Sequence, residues 1–406
     1  MMHTLYKLEG SRFRIEVLQT DKVQQFIGKH AEILDSGFQQ VKMSDAMRQR
    51  LQRSDYIFSG IKTFHELNEA FPSLINPDGS RKPFEQFLND VRKIDKTYNQ
   101  HYLRAEYNLA QQSAVMAAKW EQFLEDGDRY NLQYRTANDG RVRPEHAALN
   151  RVTLPVSDPF WETYYPPNGW NCRCTVVQVR KGKYPETPHD DAMQRGAAAT
   201  GNDTKGIFQF NPGKERKTFP DYNPYTIRRC RDCDIAKATA PDGSPVGNKL
   251  VFVPENELCA ACKLLHECAA DRTKSRVAIE RKHYLHEMEP LLGVRQSMPT
   301  GATGQNIKVG FTKIGNEHLY SDTFKRSMVL RKEDLKDLGQ LLSQATYLDD
   351  KELTEWHKYN IVHFHYYQAI LHGHKVRLNV ATERRVTKKG QVRIRYYLYS
   401  INDIKE

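Results

Sequence analysis

The sequence has no long apolar run and no recognisable export signal. No stretch approaches the roughly 20 consecutive apolar residues that a membrane-spanning helix needs. Hydrophobic residues make up 39% of the 406 residues, and the mean hydropathy is −0.72. The first residues, MMHTLYKLEGSRF, lack the charged start and apolar segment of a secretory signal. We therefore expect a protein of cytosolic origin with no membrane partner.

Acidic residues are in the minority. The chain has 61 Lys and Arg residues against 50 Asp and Glu residues, which gives a net charge of +11 and a pI near 9.1. This excess favours a polyanionic partner, although cations spread over a solvated surface would give the same total. A chain of this length also exceeds what one hydrophobic core serves, so two or three domains are expected.

The seven cysteines favour metal ligation over a disulfide framework, because their number is odd, they lie in pairs and no export signal precedes them. Two Cys-x-x-Cys pairs flank a turn-rich insert, and four thiolates complete a tetrahedral Zn²⁺ site. Such a zinc would be structural, since four thiolates leave no open position, and His266 and Cys268 are reserve ligands. The four expected ligands are Cys230, Cys233, Cys259 and Cys262.

Residues 83–124 carry apolar and aromatic residues at helical spacing. They predict one long helix or two consecutive helices, with Pro83 placed for a first helical turn. Upstream, Thr63 is followed three residues later by Glu66, a capping-box pattern. This pair predicts the start of a short helix that ends near Pro72.

Residues 134–174 have almost no helical or strand periodicity, but they are rich in Pro and Gly and contain Trp161, Tyr164, Tyr165 and Trp170. Long loops are either functional or disordered, and this aromatic content exceeds that of disordered segments. We therefore predict an ordered module that is pinned by its aromatic residues.

A zinc site within this module is a second possibility, because His146 accompanies Cys172 and Cys174. The Cys-x-Cys spacing suits a single ion less well than Cys-x-x-Cys, and only three ligands are present. We therefore expect a scaffold in which Arg side chains contact Asp and backbone carbonyls.

Four motifs appear in order: RAEYNLAQQSAVMAAKW at 104–120, YRTANDGRVRPEHAALN at 134–150, DPFWETYYPPNGWNCRC at 158–174 and FQFNPG at 208–213. This set resembles the phage Mu gene-F-like (MuF) head morphogenesis family over about residues 55–215. The resemblance implies a minor capsid protein of a tailed phage or prophage, located in the virion head near the portal, with portal and capsid proteins as partners. Because that family is not generally associated with catalysis, it also implies that Arg141, His146 and Cys172 are scaffold residues.

The last third of the chain predicts a mixed domain that ends in an antiparallel meander. The predicted elements are a helix over 276–289, a strand over 307–314, a turn at 315–316, a helix over 330–347, three strands near 361–370, 375–380 and 391–401, and a turn at 387–390.

One face of this meander is expected to pack on helices and the other to be basic and aromatic. The expected packed face consists of Val362, Phe364, Tyr366 and Ile370 in the first strand, Val376, Leu378 and Val380 in the second, and Val392, Ile394, Tyr396 and Leu398 in the third. Polar residues on such a face often only protect a sheet edge. Cations beside aromatic rings also suit single-stranded RNA. RNA can be cut without metal if one group removes the 2′-hydroxyl proton, another protonates the leaving oxygen and a cation stabilises the phosphorane. No acidic cluster suited to Mg²⁺ is evident in this region.

The element order over about residues 275–406 resembles the barnase–EndoU–colicin–RelE (BECR) nuclease fold, in the phage-borne form that follows MuF domains. The resemblance implies a metal-independent endoribonuclease toxin with an immunity protein as a further partner. It implies His318 as general acid or base and Arg377 for phosphate, and leaves the base in doubt because no Glu stands out. The remaining candidates are Tyr397, Ser400 and Lys313 for catalysis, and Lys375, Arg393, Arg395, His365 and Tyr399 for substrate binding.

We thus predict an α+β protein with a head morphogenesis domain over 1–215, a zinc-binding connector over 216–274 and a ribonuclease domain over 275–406. The leading hypothesis is a phage head protein that carries an RNA-cleaving toxin and is also present in the host cytoplasm during assembly. One alternative is a purely structural minor capsid protein whose basic C-terminal domain binds nucleic acid or the portal. Another is an ADP-ribosyltransferase, against which the lack of a late Glu in the final strand argues.

Overall fold

The chain folds into two compact units. In this computed structural model, unit 1 comprises Met1–Met43 and Met47–Thr273, and unit 2 comprises Ser44–Ala46 and Lys274–Glu406. The mixture of helices with antiparallel strands confirms the predicted α+β class. The structure describes residues 1–7, 13–203, 205–227, 230, 255–301, 305–323, 327, 329–353, 359–387 and 390–404.

Unit 1 is mainly helical and contains a small antiparallel sheet of order β2-β1-β3. Its strands are β1 (Tyr130–Arg135), β2 (Thr153–Pro155) and β3 (Thr175–Arg180). Its helices are α1 (Met2–Tyr6), α2 (Asp21–Ser36), α3 (Asp45–Ala70), α4 (Phe84–Lys96), α5 (Leu103–Asp126), α6 (Pro144–Ala147), α7 (Phe160–Thr163), α8 (His189–Ala199), α9 (Pro212–Glu215) and the first part of α10 (Glu255–Glu287).

The helical prediction for 83–124 is confirmed in its two-helix form, since α4 and α5 are joined by a π-helical turn at Thr97–His101. The helix start predicted from the Thr63–Glu66 pair is wrong, because both residues lie inside α3. Thr63 donates to the Ser59 carbonyl oxygen at 2.8 Å, and the Glu66 carboxylate accepts from Asn99 at 3.1 Å. Contacts with neighbouring residues thus replace the expected cap.

The segment 134–174 is ordered, as predicted, and forms a core of its own with α5 and the small sheet. Trp161 and Tyr165 are fully buried. Trp161 Nε1 donates to the Pro155 carbonyl oxygen at 2.9 Å, and Tyr165 Oη donates to the Met116 carbonyl oxygen at 2.9 Å. Each ring therefore contributes buried apolar area and also satisfies its own polar atom.

The FQFNPG motif closes this core. The Asn211 side chain accepts hydrogen bonds from Gly213 N at 2.9 Å and Lys214 N at 3.0 Å, which caps α9. Its Nδ2 donates to the Trp161 carbonyl oxygen at 2.9 Å. A Cβ at position 213 would lie 2.2 Å from Trp120 Cβ, so only glycine allows α9 to approach α5 this closely.

A second core of unit 1 lies between α2, α3, α4, α5, the segment 208–230 and the start of α10, and it contains a buried charge. Glu106 and Lys62 are each 2% exposed, and Lys62 Nζ lies 2.5 Å from Glu106 Oε2. His30 Nε2 lies 3.5 Å from the same oxygen, and Tyr225 Oη donates to Glu106 Oε1 at 2.9 Å. Burial opposes ionisation of Glu106, but the contacts with His30 and Lys62 outweigh it and lower the pKa of this carboxyl.

Unit 2 is built on a six-stranded sheet of order β4-β5-β9-β8-β7-β6, in which the β5–β9 pair is parallel and the other pairs are antiparallel. The predicted meander is confirmed as β7-β8-β9. The strands are β4 (Arg295–Pro299), β5 (Asn306–Gly310), β6 (Thr346–Glu352), β7 (Ile361–Leu371), β8 (His374–Val386) and β9 (Val392–Asp403), and the helices are the last part of α10, α11 (Lys313–Asp322) and α12 (Leu338–Ser343).

Three predicted elements of unit 2 differ from the structure. The strand predicted over 307–314 ends at Gly310, and α11 begins at Lys313. The turn predicted at 315–316 is wrong, because these residues lie in the first turn of α11. The Thr312 hydroxyl accepts from Gly315 N at 2.9 Å and starts the helix as its N-cap. The helix predicted over 330–347 is shorter, since a 3₁₀ helix at Lys332–Asp337 leads into α12 and β6 begins at Thr346.

The predicted faces of the meander are correct for β8, wrong for β7 and only partly correct for β9, where Leu398 is fully buried but Val392 and Ile394 are 50% and 57% exposed. Val376, Leu378 and Val380 are fully buried, as expected. On β7, however, Tyr367 is fully buried while Ile370 is 55% exposed. Its pairing with β8 is irregular between Ile361 and His363.

Removing the partner of the buried Glu106 should be costly. We expect Lys62→Met to lower the free energy of unfolding by about 3–5 kcal/mol, because a carboxylate would remain buried without its cation. Lys214→Met is the control, since the Lys214–Glu162 pair lies at the surface with its side chains 52% and 57% exposed, and it should cost less than about 1 kcal/mol. Denaturant unfolding measures both values, and equal losses would contradict a special role for Glu106.

Adding a side-chain carbon at position 213 should also destabilise unit 1. Gly213→Ala forces α9 away from Trp120, and overpacking of this kind costs about 1–3 kcal/mol. Gly140→Ala provides the control, because nothing lies within 4 Å of a Cβ at that position, and its effect should stay within about 0.5 kcal/mol. Thermal unfolding of the two variants checks the difference, and similar midpoints would refute the packing argument.

Candidate functional site

One side of the β7-β8-β9 meander gathers polar, cationic and aromatic side chains. In the strand register Tyr366 lies opposite Asn379, which lies opposite Ser400, while Ala381 lies opposite Tyr397. Because alternate residues of a strand share a side, odd-numbered residues of β8 line this surface. We call it the Arg377 face, formed by Phe364, Tyr366, Lys375, Arg377, Asn379, Glu383, Arg385, Arg393, Arg395, Tyr397 and Ser400.

Arg377 is held in place by neighbours on this face. Its guanidinium carbon lies 4.8 Å from the centre of the Tyr366 ring, and its Nε donates to Asn379 Oδ1 at 3.1 Å. Asn379 Nδ2 in turn donates to Ser400 Oγ at 2.8 Å. A cation that is stacked and hydrogen-bonded in this way is pre-organised to bind an anion.

His318 lies on α11, which packs beside β9. Its ring stacks on Tyr399 with centroids 3.7 Å apart, and its Nδ1 lies 3.1 Å from the Tyr399 carbonyl oxygen. A carbonyl only accepts hydrogen bonds, so Nδ1 must carry the proton. In a neutral ring the lone pair is then on Nε2, and this is the form that a general base needs.

A buried carboxylate on the Arg377 face was missed by the sequence reasoning. Glu383 is 3% exposed, and it forms ion pairs with Arg385 and with Arg395, whose Nε lies 3.1 Å from Oε2. The alternation of β8 places Glu383 on the same side as Arg377, and this was the signal that could have found it. Arg395, expected to bind substrate, is thus engaged by a carboxylate.

Tyr397 is 1% exposed, and its hydroxyl has no hydrogen-bond partner within the described residues. Burial raises its pKa, as does the nearby charge of Glu383, so the phenol keeps its proton. Ser400 is also buried. Both candidates therefore lie beneath the surface of the face.

The other predicted site residues are divided between two sides of the sheet. Lys313 is the exposed first residue of α11, while Lys375 and Arg393 are exposed on the Arg377 face. His365 lies on the opposite side, where it is 8% exposed and its Nε2 lies 3.1 Å from Thr382 Oγ1. The structure therefore separates His365 from the predicted residues of the Arg377 face.

Three of the four predicted zinc ligands lie in the described residues. Cys230, Cys259 and Cys262 line one cavity of unit 1 together with His266, whereas Cys233 lies outside the described residues. Burial lowers the pKa of His266 to about 4, with contributions from nearby Arg53 and Lys217, so its imidazole is neutral as a metal ligand must be. Zinc at this cavity stays a prediction.

His146, Cys172 and Cys174 come together in the segment 134–174, and all three are buried. The Cys172 and Cys174 sulfurs lie 3.9 Å and 4.0 Å from His146 Nδ1. Hydrogen bonds from Cys174 and His146 hold the pKa of Cys172 well below its usual range. These donors fit three positions of a tetrahedral zinc.

Arginine contacts of the expected kind surround this group as well. Arg173 forms an ion pair with Asp139, and Arg143 Nη2 donates to the Trp170 carbonyl oxygen at 2.7 Å. The module thus combines a scaffold network with a possible metal-ligand set.

Within the described residues, no helix is both long and apolar enough to span a bilayer.

Part of unit 1 is similar in sequence to known phage proteins. Residues 79–177 match the family model described as Phage Mu protein F like protein. The "Putative capsid assembly protein F" of Escherichia phage Mu is 46% identical over 81 residues, which are 20% of this chain and 18% of that protein. The "Mu-like prophage FluMu F protein" of Haemophilus influenzae is 34% identical over 100 residues, which are 23% of this chain and 24% of that protein.

The chain therefore spans about a fifth of the length of these curated relatives. No solved structure matches it significantly. The family match includes α4, α5, β1, β2 and the ordered segment 134–174. Residues 79–177 are thus similar to the phage Mu protein F-like family, and they contain three of the four sequence motifs that carried the resemblance, whereas the motif at 208–213 lies outside the match.

Proposed function

We propose that this chain is a phage head protein that acts in capsid assembly through unit 1 and cleaves RNA through unit 2. The assembly role is supported by the family match of residues 79–177 and by the printed name of the phage Mu relative. Capsid and portal proteins would be the partners of unit 1. Its location would be the virion head, and the host cytoplasm during assembly.

The nuclease role rests on one observation above all. His318 is fixed by its stack on Tyr399 and its bond to the Tyr399 backbone, beside the strand whose Ser400 is linked through Asn379 to Arg377. The contacts that fix the proton-transfer group and those that fix the anion-binding cation thus start from two consecutive residues of β9, Tyr399 and Ser400. Exposed Lys313, Lys375 and Arg393 would bind backbone phosphates.

The proposed reaction needs no external reagent. His318 Nε2 accepts the proton of an RNA 2′-hydroxyl, and the 2′-oxygen attacks the adjacent phosphorus. The phosphorus bond to the 5′-oxygen breaks, and this oxygen takes up a proton from solvent, leaving a 2′,3′-cyclic phosphate and a 5′-hydroxyl, while His318 returns its proton to solvent. Arg377 would stabilise the charge that builds up on the phosphorane oxygens.

Buried residues of the face would act as positioning residues in this scheme. Tyr399 supports the His318 ring and Ser400 orients Asn379, while Tyr397 keeps its proton below the surface. Arg395 would hold Glu383 rather than substrate. An immunity protein would have to cover the Arg377 face.

Purified full-length chain tests the proposal on a single-stranded RNA oligonucleotide. We expect cleavage to cyclic phosphate ends, with His318→Ala and Arg377→Ala each lowering the rate by about 10²-fold or more. His372→Ala and Lys336→Ala are matched controls, since His372 pairs with Asp334 at the surface and Lys336 is exposed. Both controls should retain full activity.

Two outcomes would contradict the nuclease role. Intact RNA with the wild-type chain would do so, and so would undiminished cleavage by His318→Ala. No step of the proposed reaction uses a metal. Induced expression in a bacterial host gives a second measurement, since growth arrest with RNA fragmentation should disappear in the same two variants.

A purely structural protein whose unit 2 binds nucleic acid is the second candidate. It is favoured by the pairing of Arg385 and Arg395 with Glu383, since this pairing makes part of the face a structural ion network. The oligonucleotide assay separates the two candidates. Salt-sensitive binding that is weakened by Arg377→Ala, without any cleavage, would favour this one.

A further inference from the structure

Asp350, His363 and His365 form a cluster on the side of β7 opposite the Arg377 face. Asp350 of β6 lies directly across from His365 of β7 in the antiparallel register. His363 and His365 are two residues apart, so both point to the same side, and their ring centres are 4.5 Å apart. We call these three residues the Asp350 cluster.

The spacing of the cluster is that of ligands around an ion. Asp350 Oδ2 lies 3.5 Å from His363 Nε2 and 4.0 Å from His365 Nδ1, and the three ligand atoms all lie within 4.8 Å of one another. These separations are too long for direct hydrogen bonds. Ligands about 2.1 Å from a tetrahedral ion are about 3.4 Å apart, so one distance fits and the other needs a small side-chain shift.

Both imidazole nitrogens that face Asp350 are buried and have no hydrogen-bond partner within the described residues. Leaving a buried polar atom unsatisfied costs about 1–3 kcal/mol, so two adjacent ones require an explanation. The His365 side chain is nine-tenths buried. A shared ion would satisfy both nitrogens at once.

The contact made by His365 Nε2 determines whether Nδ1 can bind an ion. His365 Nε2 lies 3.1 Å from the Thr382 hydroxyl. If Nε2 donates its proton there, the lone pair of Nδ1 points toward Asp350. Ligand histidines typically have such an outer hydrogen bond, which fixes their tautomer.

We propose that Asp350, His363 and His365 bind one divalent first-row transition ion, with Zn²⁺ as the representative. Two imidazoles favour this class, whereas Mg²⁺ and Ca²⁺ prefer oxygen ligands. Asp350 is 41% exposed, so solvent can supply the remaining ligands.

An ordinary ion pair explains the cluster less well. His372 and Asp334 of the same unit show what direct pairing looks like, with Nε2 2.9 Å from Oδ2. In the Asp350 cluster two histidines share one carboxylate oxygen at longer distances instead. The proposal is independent of RNA cleavage, since the cluster lies on the other side of β7.

The test uses the full-length chain, stripped with a chelator, dialysed and then loaded with Zn²⁺. Bound zinc per chain and the thermal midpoint are measured for the wild type, Asp350→Asn, His363→Ala and the control His372→Ala. We expect the first two variants to bind one zinc fewer than the wild type and to lose part of the zinc-induced rise in midpoint. The control should match the wild type, and Mg²⁺ should give no such rise.

Zinc at the cysteine-containing sites contributes equally to all four proteins, so only the differences are interpreted. Equal zinc content in the wild type and in Asp350→Asn, with both folded by circular dichroism, would overturn the proposal. His363→Ala could fail to fold without being informative, and the exposed Asp350 then decides the matter. The cobalt-loaded chain gives a second readout, because its visible absorption should lose a contribution in Asp350→Asn and keep it in His372→Ala.

Discussion

The buried carboxylate of Glu106 is the constraint on which most of unit 1 depends. It binds Lys62 of α3, lies next to His30 of α2 and accepts from Tyr225 in the segment that follows α9. A buried charge is tolerated only when all of its partners are in place. Two helices and a distant segment must therefore meet α5 in one register, and Tyr225 also packs against Phe58 there.

Helix α5 extends this constraint to the core that the segment 134–174 forms with α5 and the small sheet. It carries Glu106 near its start and Trp120 near its end, and Gly213 packs on Trp120. The family match at 79–177 includes both α5 residues, whereas Lys62, His30, Tyr225 and Gly213 all lie outside it. The matched segment therefore depends on flanking residues to satisfy its charge and to close its core.

Features with local periodicity could be predicted from the sequence, while those that depend on tertiary contacts could not. The apolar spacing of 83–124 and the alternation of β8 concern neighbouring residues, and both predictions held. The exposure of β7 was inverted, because Tyr367 and His365 are polar residues that the fold buries. Gly315 was assigned to a turn because the capping of α11 by Thr312 depends on one side-chain bond.

Within the candidate site, Arg377 and Tyr397 were expected on one face and share it, but Glu383 was overlooked because its role comes from two arginines on neighbouring positions.

The net charge does not show which cations of the Arg377 face are already paired with a carboxylate. Arg385 and Arg395 are occupied by Glu383, so the proposed chemistry of the Arg377 face depends on how His318 and Arg377 are fixed. Strand β7 serves both sides of the sheet, because it presents Tyr366 to Arg377 and His365 to Asp350. A shift of the β7 register by one residue would turn Tyr366 and His365 to the opposite sides of the sheet. The regular register of β7 against β8 from His363 to Leu371 therefore decides which side of the sheet each of these two side chains faces.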